Sequence, residues 1–446
     1  MVLRLPGGRK LLYLLLAVGL LVLAIGIINP ILVNGFGRVR HQPDQREQQL
    51  LAEGQRIFRY DTFGSENFWG RQLRLHEAIK GAQLGGVGPG LSPRAALSLG
   101  LKVDAEALPP SLVKQLKRGE VNLEDPATTV ALLKLDAVVG VKGFFDARGQ
   151  LSSVGIQCAL CHSTVDDSLA PGIGRRLDGW ANRDLNVGEI VALAPNLEPF
   201  SRLLGVDQQT VRQVLRSWGP GKYDALLVLD GKAFRPDGQS GAVLIPPAFG
   251  LAGINLHTWT GFGSVPYWNA FVAVLQMHGL GTFYDQRLSD PVQFPVAAGA
   301  GLWNVRNEPD LVSSKLPALH LYQLSLAAPP PPPGSFNEAA ARRGGALFHG
   351  KAGCSRCHVP PTFSEPGHNL HRPEEIGIDS FQADRSPTKM YRTSPLKGLW
   401  THQKGGFFHD GRFKTLLEVV DHYDNFFGLN LSPQEKADLV EYLKSL

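Results

Sequence analysis

The longest uncharged apolar stretch runs from Leu11 to Ile28, and apolar character resumes at Ile31–Val33 after Asn29-Pro30. Counted to Val33 it would form about 34 Å of helix at 1.5 Å per residue, enough for a ~30 Å hydrocarbon core. Beyond it, the spacing of apolar positions predicts helices over Gln45–Phe58, Ala127–Val138 and Asn337–Phe348. Shorter apolar segments follow at Trp268–Leu275 and Leu416–Val420. Gly85-Gly86-Val87-Gly88-Pro89-Gly90 reads as a loop. Ala327-Ala328-Pro329 to Pro333-Gly334 reads as a polyproline spacer, stiff and extended rather than folded. Strand patterns are few. The expected architecture is mainly α, with helices joined by long loops.

Charge sharpens the reading of the N-terminus. The net charge is +5, and residues 1–40 hold that whole excess in Arg4, Arg9, Lys10, Arg38 and Arg40. The remainder balances 40 basic against 40 acidic residues. No basic face is demanded, so no nucleic-acid partner is expected. Basic residues ahead of the apolar stretch keep that end cytoplasmic and export the body. No A-x-A cleavage site follows the stretch, which favours a retained transmembrane helix over a signal peptide. The expectation is a single pass through the inner membrane, with the body in the periplasm.

The four cysteines decide the chemistry. Cys158-Ala159-Leu160-Cys161-His162 and Cys354-Ser355-Arg356-Cys357-His358 are both C-x-x-C-H, the attachment signal of c-type haem. Two thiols add to the vinyl groups of one haem, and the adjacent histidine reaches its iron. Chance placement of 4 Cys and 13 His gives roughly 0.001 such motifs in this length, and two occur. No cysteine is left for a disulfide. Two covalently bound c-type haems are expected, on Cys158, Cys161 and His162, and on Cys354, Cys357 and His358.

Those anchors divide the chain into a membrane anchor (1–40), an N-terminal extension (41–150), a first haem domain (151–328), the polyproline linker (329–334) and a second haem domain (335–446). An internal repeat relates the two domains. Pro246-Pro247-Ala248-Phe249-Gly250-Leu251 leads to His257-Thr258-Trp259-Thr260-Gly261-Phe262 and an apolar segment ending in Met277-His278. Ser394-Pro395-Leu396-Lys397-Gly398-Leu399 leads to Phe407-Phe408-His409-Asp410-Gly411 and a helix carrying His422-Tyr423.

The two C-x-x-C-H motifs, Arg392-Thr393, Leu396-Lys397-Gly398-Leu399, Phe408-His409-Asp410-Gly411 and Thr415-Leu416 through His422-Tyr423 resemble the bacterial di-haem cytochrome c peroxidase/MauG superfamily. The likeness is specific over 335–446 and weaker over 151–300. Over 41–150 it suggests only the larger related oxygenases that include latex-cleaving di-haem enzymes. The resemblance implies two cytochrome-c-like haem domains face to face, one meeting peroxide or oxygen and the other passing electrons. Where the peroxidases carry an axial methionine this chain has His422-Tyr423, and MauG-type proteins use a tyrosine there. The family's Trp-Asp-Gly segment is represented by Trp259-Thr260-Gly261.

His162 and His358 are the proximal ligands. The sixth ligand of the second iron falls to Tyr423 or His422, neighbours 100° apart on a helix. His278 or Met277 is the corresponding candidate at the first. Trp259 is a candidate electron relay between haems and His257 a distal acid–base, each against the plainer reading of a packed core residue. His409 is expected to organise a haem edge rather than bind iron. Arg183-Asp184 reads as a solvated loop pair, with Arg183 able to meet a haem propionate. Three function classes follow: a peroxidase-like or oxygenase-like oxidoreductase, an electron-transfer cytochrome with both irons saturated, and a haem-based sensor. A redox protein or quinone-linked electron donor and a small oxidant are the expected partners.

Overall fold

A computed structural model describes residues 44–402 and 404–446. The predicted membrane helix of residues 11–33 lies outside them. Among the described residues, no helix is long and apolar enough to cross a membrane.

Helices dominate, and each boundary has a local cause. Helix α1 spans Gln45–Tyr60 and buries Gly54, Ile57 and Phe58. Helix α2 covers Pro126–Lys134, started by the Asp125 side chain, which accepts from the Ala127 amide. It stops short of the predicted Val138, because Asp136 turns left-handed (φ 52°) and Val138 bridges to Val103. Strands β1 (Val141–Phe145) and β2 (Leu151–Ile156) form an antiparallel hairpin. Helix α3 spans Val265–Phe271 and continues as a π-helical turn over Val272–Gln276. Helix α4 is Leu316–Ser325, α5 is Glu338–His349, α6 is Leu416–Phe427 and α7 is Pro433–Lys444. Helix α6 runs past the predicted Val420 until Gly428 ends it in the left-handed conformation (φ 64°). The strands among the described residues pair only two at a time.

The repeat proves closer than its sequence suggests. Gly54 of α1 lies against α4, where an added Cβ would sit 2.0 Å from the Ala318 carbonyl oxygen. Gly344 of α5 lies against α7 in the same way, 2.0 Å from the Asp438 carbonyl oxygen. Four residues on in every helix, Phe58 meets Tyr322 with ring centres 5.6 Å apart, and Phe348 meets Tyr442 at 5.1 Å. Helix pairs α1–α4 and α5–α7 are therefore equivalents. That equivalence places α1, read from sequence as extension, with the first haem half. Residues 61–157 form an insertion between that helix and Cys158, whereas Phe348 and Cys354 are nearly adjacent.

The insertion builds its own apolar core. Leu75, Leu132, Leu133 and Val154 join Leu160 of the first haem motif and Ile190 in one cluster. A second cluster joins Phe58 with Val274, Leu319 and Tyr322, and a third fills the second half with Phe348, Leu416, Val420 and Leu439.

Candidate haem sites and the segments between them

The first motif forms a single helical turn, Ala159–His162, directly after β2. Gly140 makes that turn possible. It has φ +81°, and a Cβ there would fall about 2.1–2.2 Å from the Leu160 backbone. The second motif opens on Gly353, also left-handed (φ 64°), and a 3-10 turn over Cys354–Arg356. None of the four cysteines is in a disulfide.

Both proximal imidazoles are buried and therefore favour the neutral, ligating form. Burial lowers the His162 pKa to about 4, against a smaller upward pull from the Pro246 carbonyl. Burial also lowers that of His358, while the Phe363 and Ser394 carbonyls pull it upward. The Nδ1 of His358 donates to the Phe363 carbonyl at 3.0 Å, leaving Nε2 as the nitrogen that would hold an iron. Pro246 and Ser394 are equivalent positions of the repeat. Four residues on, the Gly250 amide donates to the Leu326 carbonyl just past α4, and the Gly398 amide to the Leu446 carbonyl just past α7.

The aromatic turns correspond residue by residue. His257 bridges to Gly263, and Phe407 to Phe413. Thr258 and Phe408 are both left-handed (φ 64° and 66°), as are Gly261 and Gly411 (φ 61° and 76°). Trp259 thus occupies the position of His409. The two halves trade contacts at these residues. The Leu244 amide donates to the His409 carbonyl (2.7 Å), and the equivalent Arg392 amide donates to the Trp259 carbonyl (3.1 Å). The Trp259 indole closes the exchange by donating to the Leu244 carbonyl at 2.8 Å. Trp259 consequently joins the segment carrying Pro246 to the segment carrying Ser394. His257, by contrast, is held within its own turn by the Ile254 carbonyl, 3.0 Å from Nε2. Burial lowers its pKa to about 4.

The caps, rather than the turns, set the register of α3 and α6, because one residue more separates turn from cap in the second half. The Ser264 side chain caps α3 and that of Thr415 caps α6, each accepting from the amide three residues on. Eight residues past each cap stand Val272 and Tyr423. Tyr423 is raised in pKa, first by burial and then by the Cys357 and Cys354 thiols of the second motif, and its ring lies against Phe408 and Phe427. His422 turns elsewhere: its Nε2 lies 3.3 Å from the Ile376 carbonyl and its ring stacks on Phe426. Met277 and His278 fall beyond the π-helical turn, against the insertion. The Met277 carbonyl accepts from the Trp69 indole at 2.8 Å, and the His278 ring stacks on Phe68 at 3.5 Å. The structure does not place them in register with Tyr423.

Buried cations test whether haem fits. Arg183 is only 8% exposed, and its Nε and Nη1 have no hydrogen-bond partner among the described residues. Arg392 donates through Nε to the Thr258 carbonyl, but its Nη1 is likewise unpartnered. Burial lowers both guanidinium pKa values to about 10. Guanidiniums buried without carboxylates demand an anion, and haem propionates would meet that demand. Arg183 is thus not the solvated charge its loop suggested. Its neighbour Asp184 pairs with Lys102 at 2.6 Å and Lys404 at 2.8 Å. Sequence reading missed Arg392 as an anion partner, and missed Val272. The Ser/Thr caps before both helices were the available signal for Val272.

No family model matches the chain. It is similar to the methylamine utilization protein MauG of Methylorubrum extorquens, 33% identical over 122 residues, 24% of this chain and 34% of that protein. It is also similar to a cytochrome-c peroxidase of Pseudomonas sp. strain SCT, 28% identical over 148 residues, 24% of this chain and 39% of that protein. The likeness therefore spans little more than a third of either relative. A MauG-like protein associated with microbial copper homeostasis aligns at TM-score 0.32 and 19% identity, over 49% of this chain and 76% of that one. The hydrazine synthase of Kuenenia stuttgartiensis aligns at TM-score 0.28 and 21% identity, over 48% and 76%. Both scores are too low to speak for the fold.

Proposed function

We propose that this member of the di-haem cytochrome c peroxidase/MauG superfamily is an oxidoreductase whose first haem site receives a small oxidant, peroxide or oxygen, and whose second supplies electrons. The observation that carries the reading is Val272 in the place of Tyr423. A valine offers iron no donor atom, whereas a phenol does. Two covalent haems would supply redox-active iron, one with an exchangeable position and one as an electron store.

The chain's own residues divide the work accordingly. His162 and His358 hold the proximal positions, with the carbonyls of Pro246 and Ser394 beside them and the Phe363 carbonyl orienting the His358 ring. Tyr423 presents its phenol to the second site. Arg183 and Arg392 neutralise propionates between the halves, where Trp259 stands as the relay. The apolar stretch of residues 11–33 tethers the body in the periplasm, within reach of a redox protein or quinone-linked donor at the membrane.

Spectra of the purified protein, oxidised and reduced, test the reading. Its mass should be the polypeptide plus two haems, and cyanide or peroxide should shift one haem signal and leave the other unchanged. Two low-spin signals indifferent to both reagents would make it a pure electron-transfer cytochrome. Ligand binding without turnover would make it a sensor. For the second site, Tyr423→Phe should change the spin state and raise the reduction potential, since phenolate stabilises ferric iron. His422→Ala should leave both unchanged, and the opposite pattern would reassign the ligand to His422.

A further inference from the structure

The two halves also meet through an aromatic wall. Trp180 of the first lies edge-on against Trp400 of the second, with ring centres 5.4 Å apart. Phe249 backs both, 6.3 Å from Trp180 and 6.5 Å from the ring of His402. His402 ends the 3-10 turn Leu399–His402. Its Nε2 is buried and has no hydrogen-bond partner among the described residues. Burial first, and then the charge of Arg183, lowers the His402 pKa to about 3. The same guanidinium reaches the loop just past His402, where a Cβ on Gly405 would lie 3.6 Å from its Nη1. Its own Nε and Nη1 are orphaned too. The adjacent acid, Asp184, is taken up by Lys102 at 2.6 Å and Lys404 at 2.8 Å. Burial alone shifts the Arg183 pKa, so no carboxylate acts on it.

We propose that His402 and Arg183, one from each half, grip a single carboxylate between them, and that this carboxylate is a haem propionate. A water would satisfy the imidazole but leave a buried guanidinium charge uncompensated, which is strongly unfavourable. A carboxylate has an oxygen for each: one accepts from the guanidinium, the other from the Nε2–H of a neutral imidazole. His402 therefore needs no added proton to take part. The aromatic wall keeps water from screening the arrangement, which strengthens every hydrogen bond within it. A propionate arrives with a covalently attached haem, so it is always present. The chemistry is the same whichever haem sends it, and the experiment below tells the two apart. His402 thereby becomes a positioning residue that tunes an iron through its propionate. The inference rests on the haem loading of the proposed function, and holds whichever iron is open and whatever the oxidant.

Spectroelectrochemical titration of the di-haem protein, reading the potential of each haem, tests this. His402→Phe keeps a ring against Phe249 and removes the donor. The propionate then holds more negative charge beside its iron, which favours the ferric form, so one potential should fall while the other stays as in the parent. His402→Gln, whose amide nitrogen takes the place of Nε2, should return that potential toward the parent value. Arg183→Gln should lower the potential of the same haem, and by more, because it removes a full charge. The haem that shifts is the one that sends the propionate. His402→Leu serves if the phenylalanine variant does not load both haems. Exchanging chloride for acetate or phosphate at constant ionic strength should move no potential of the parent protein; if one moves, the occupant is an exchangeable ion and the proposal falls. It falls also if His402→Phe shifts neither haem, if the Gln and Phe variants shift alike, or if His402 and Arg183 act on different haems. A chain whose mass shows no haem overturns the haem reading itself, whereas a di-haem chain that fails these tests overturns only the shared grip.

Discussion

Val272→Met should close the first haem. The residue stands eight positions past the Ser264 cap, as Tyr423 stands past Thr415. The π-helical turn begins at Val272 itself, so the register inherited from the cap is intact there and is lost only for Met277 and His278. A methionine thioether at this point offers a soft donor that would raise the iron's reduction potential. The expected result is a low-spin first haem, loss of its cyanide response and turnover reduced to background. Val272→Leu adds bulk without a donor atom and should keep the cyanide response, at a packing cost of about 1–3 kcal/mol. Electron paramagnetic resonance with and without cyanide reads both variants. A methionine variant that still binds cyanide like the parent would show that Val272 does not overlie the iron, and the equivalence with Tyr423 would fall.

Why the haem motifs were legible while Val272 was not is a matter of which interactions need a particular side chain. Thioether attachment needs two cysteines and a histidine in one short run, so the sequence shows it complete. The repeat is held instead by backbone groups. The carbonyl facing the proximal histidine belongs to Pro246 in one half and Ser394 in the other. The carbonyl traded across the halves belongs to His409 in one and Trp259 in the other. A carbonyl places almost no demand on residue type, so such equivalences leave little trace in composition. Helix α1 was separated from its domain for a different reason: the insertion moves it far along the chain from Cys158. The pairs Gly54 with Phe58 and Gly344 with Phe348 did record its kinship, because close helix approach requires the glycine. Arg183 shows the converse limit. Beside Asp184 it reads as a loop charge, and only tertiary packing turns its guanidinium inward.

Arg385→Ala should be the most destabilising single change in the described part of the chain. Its side chain is fully buried. Nε donates to Asp230 at 2.7 Å, Nη2 to Asp224 at 2.9 Å and Nη1 to the Gly241 carbonyl at 3.2 Å. Both carboxylates belong to the first haem half and the arginine to the second, so one guanidinium ties the two together. Removing it leaves two buried, neighbouring carboxylates without a cation, a loss of about 3–5 kcal/mol. Arg385→Lys keeps the charge but not the planar fork, and should fall between. The pH dependence gives a second reading. Burial already raises the Asp224 pKa above its ordinary value, opposed by Arg385. Without the arginine, the Asp224 carboxyl should take up its proton still more readily when folded than when unfolded. Its penalty would be largest above the folded pKa and relieved as pH falls below it, so the stability gap to the parent should narrow on acidification. Urea denaturation of the holoprotein at pH 7.5 and pH 5 measures both effects. A gap below about 1 kcal/mol at neutral pH, or one that widens in acid, would mean that this triad is not what couples the halves.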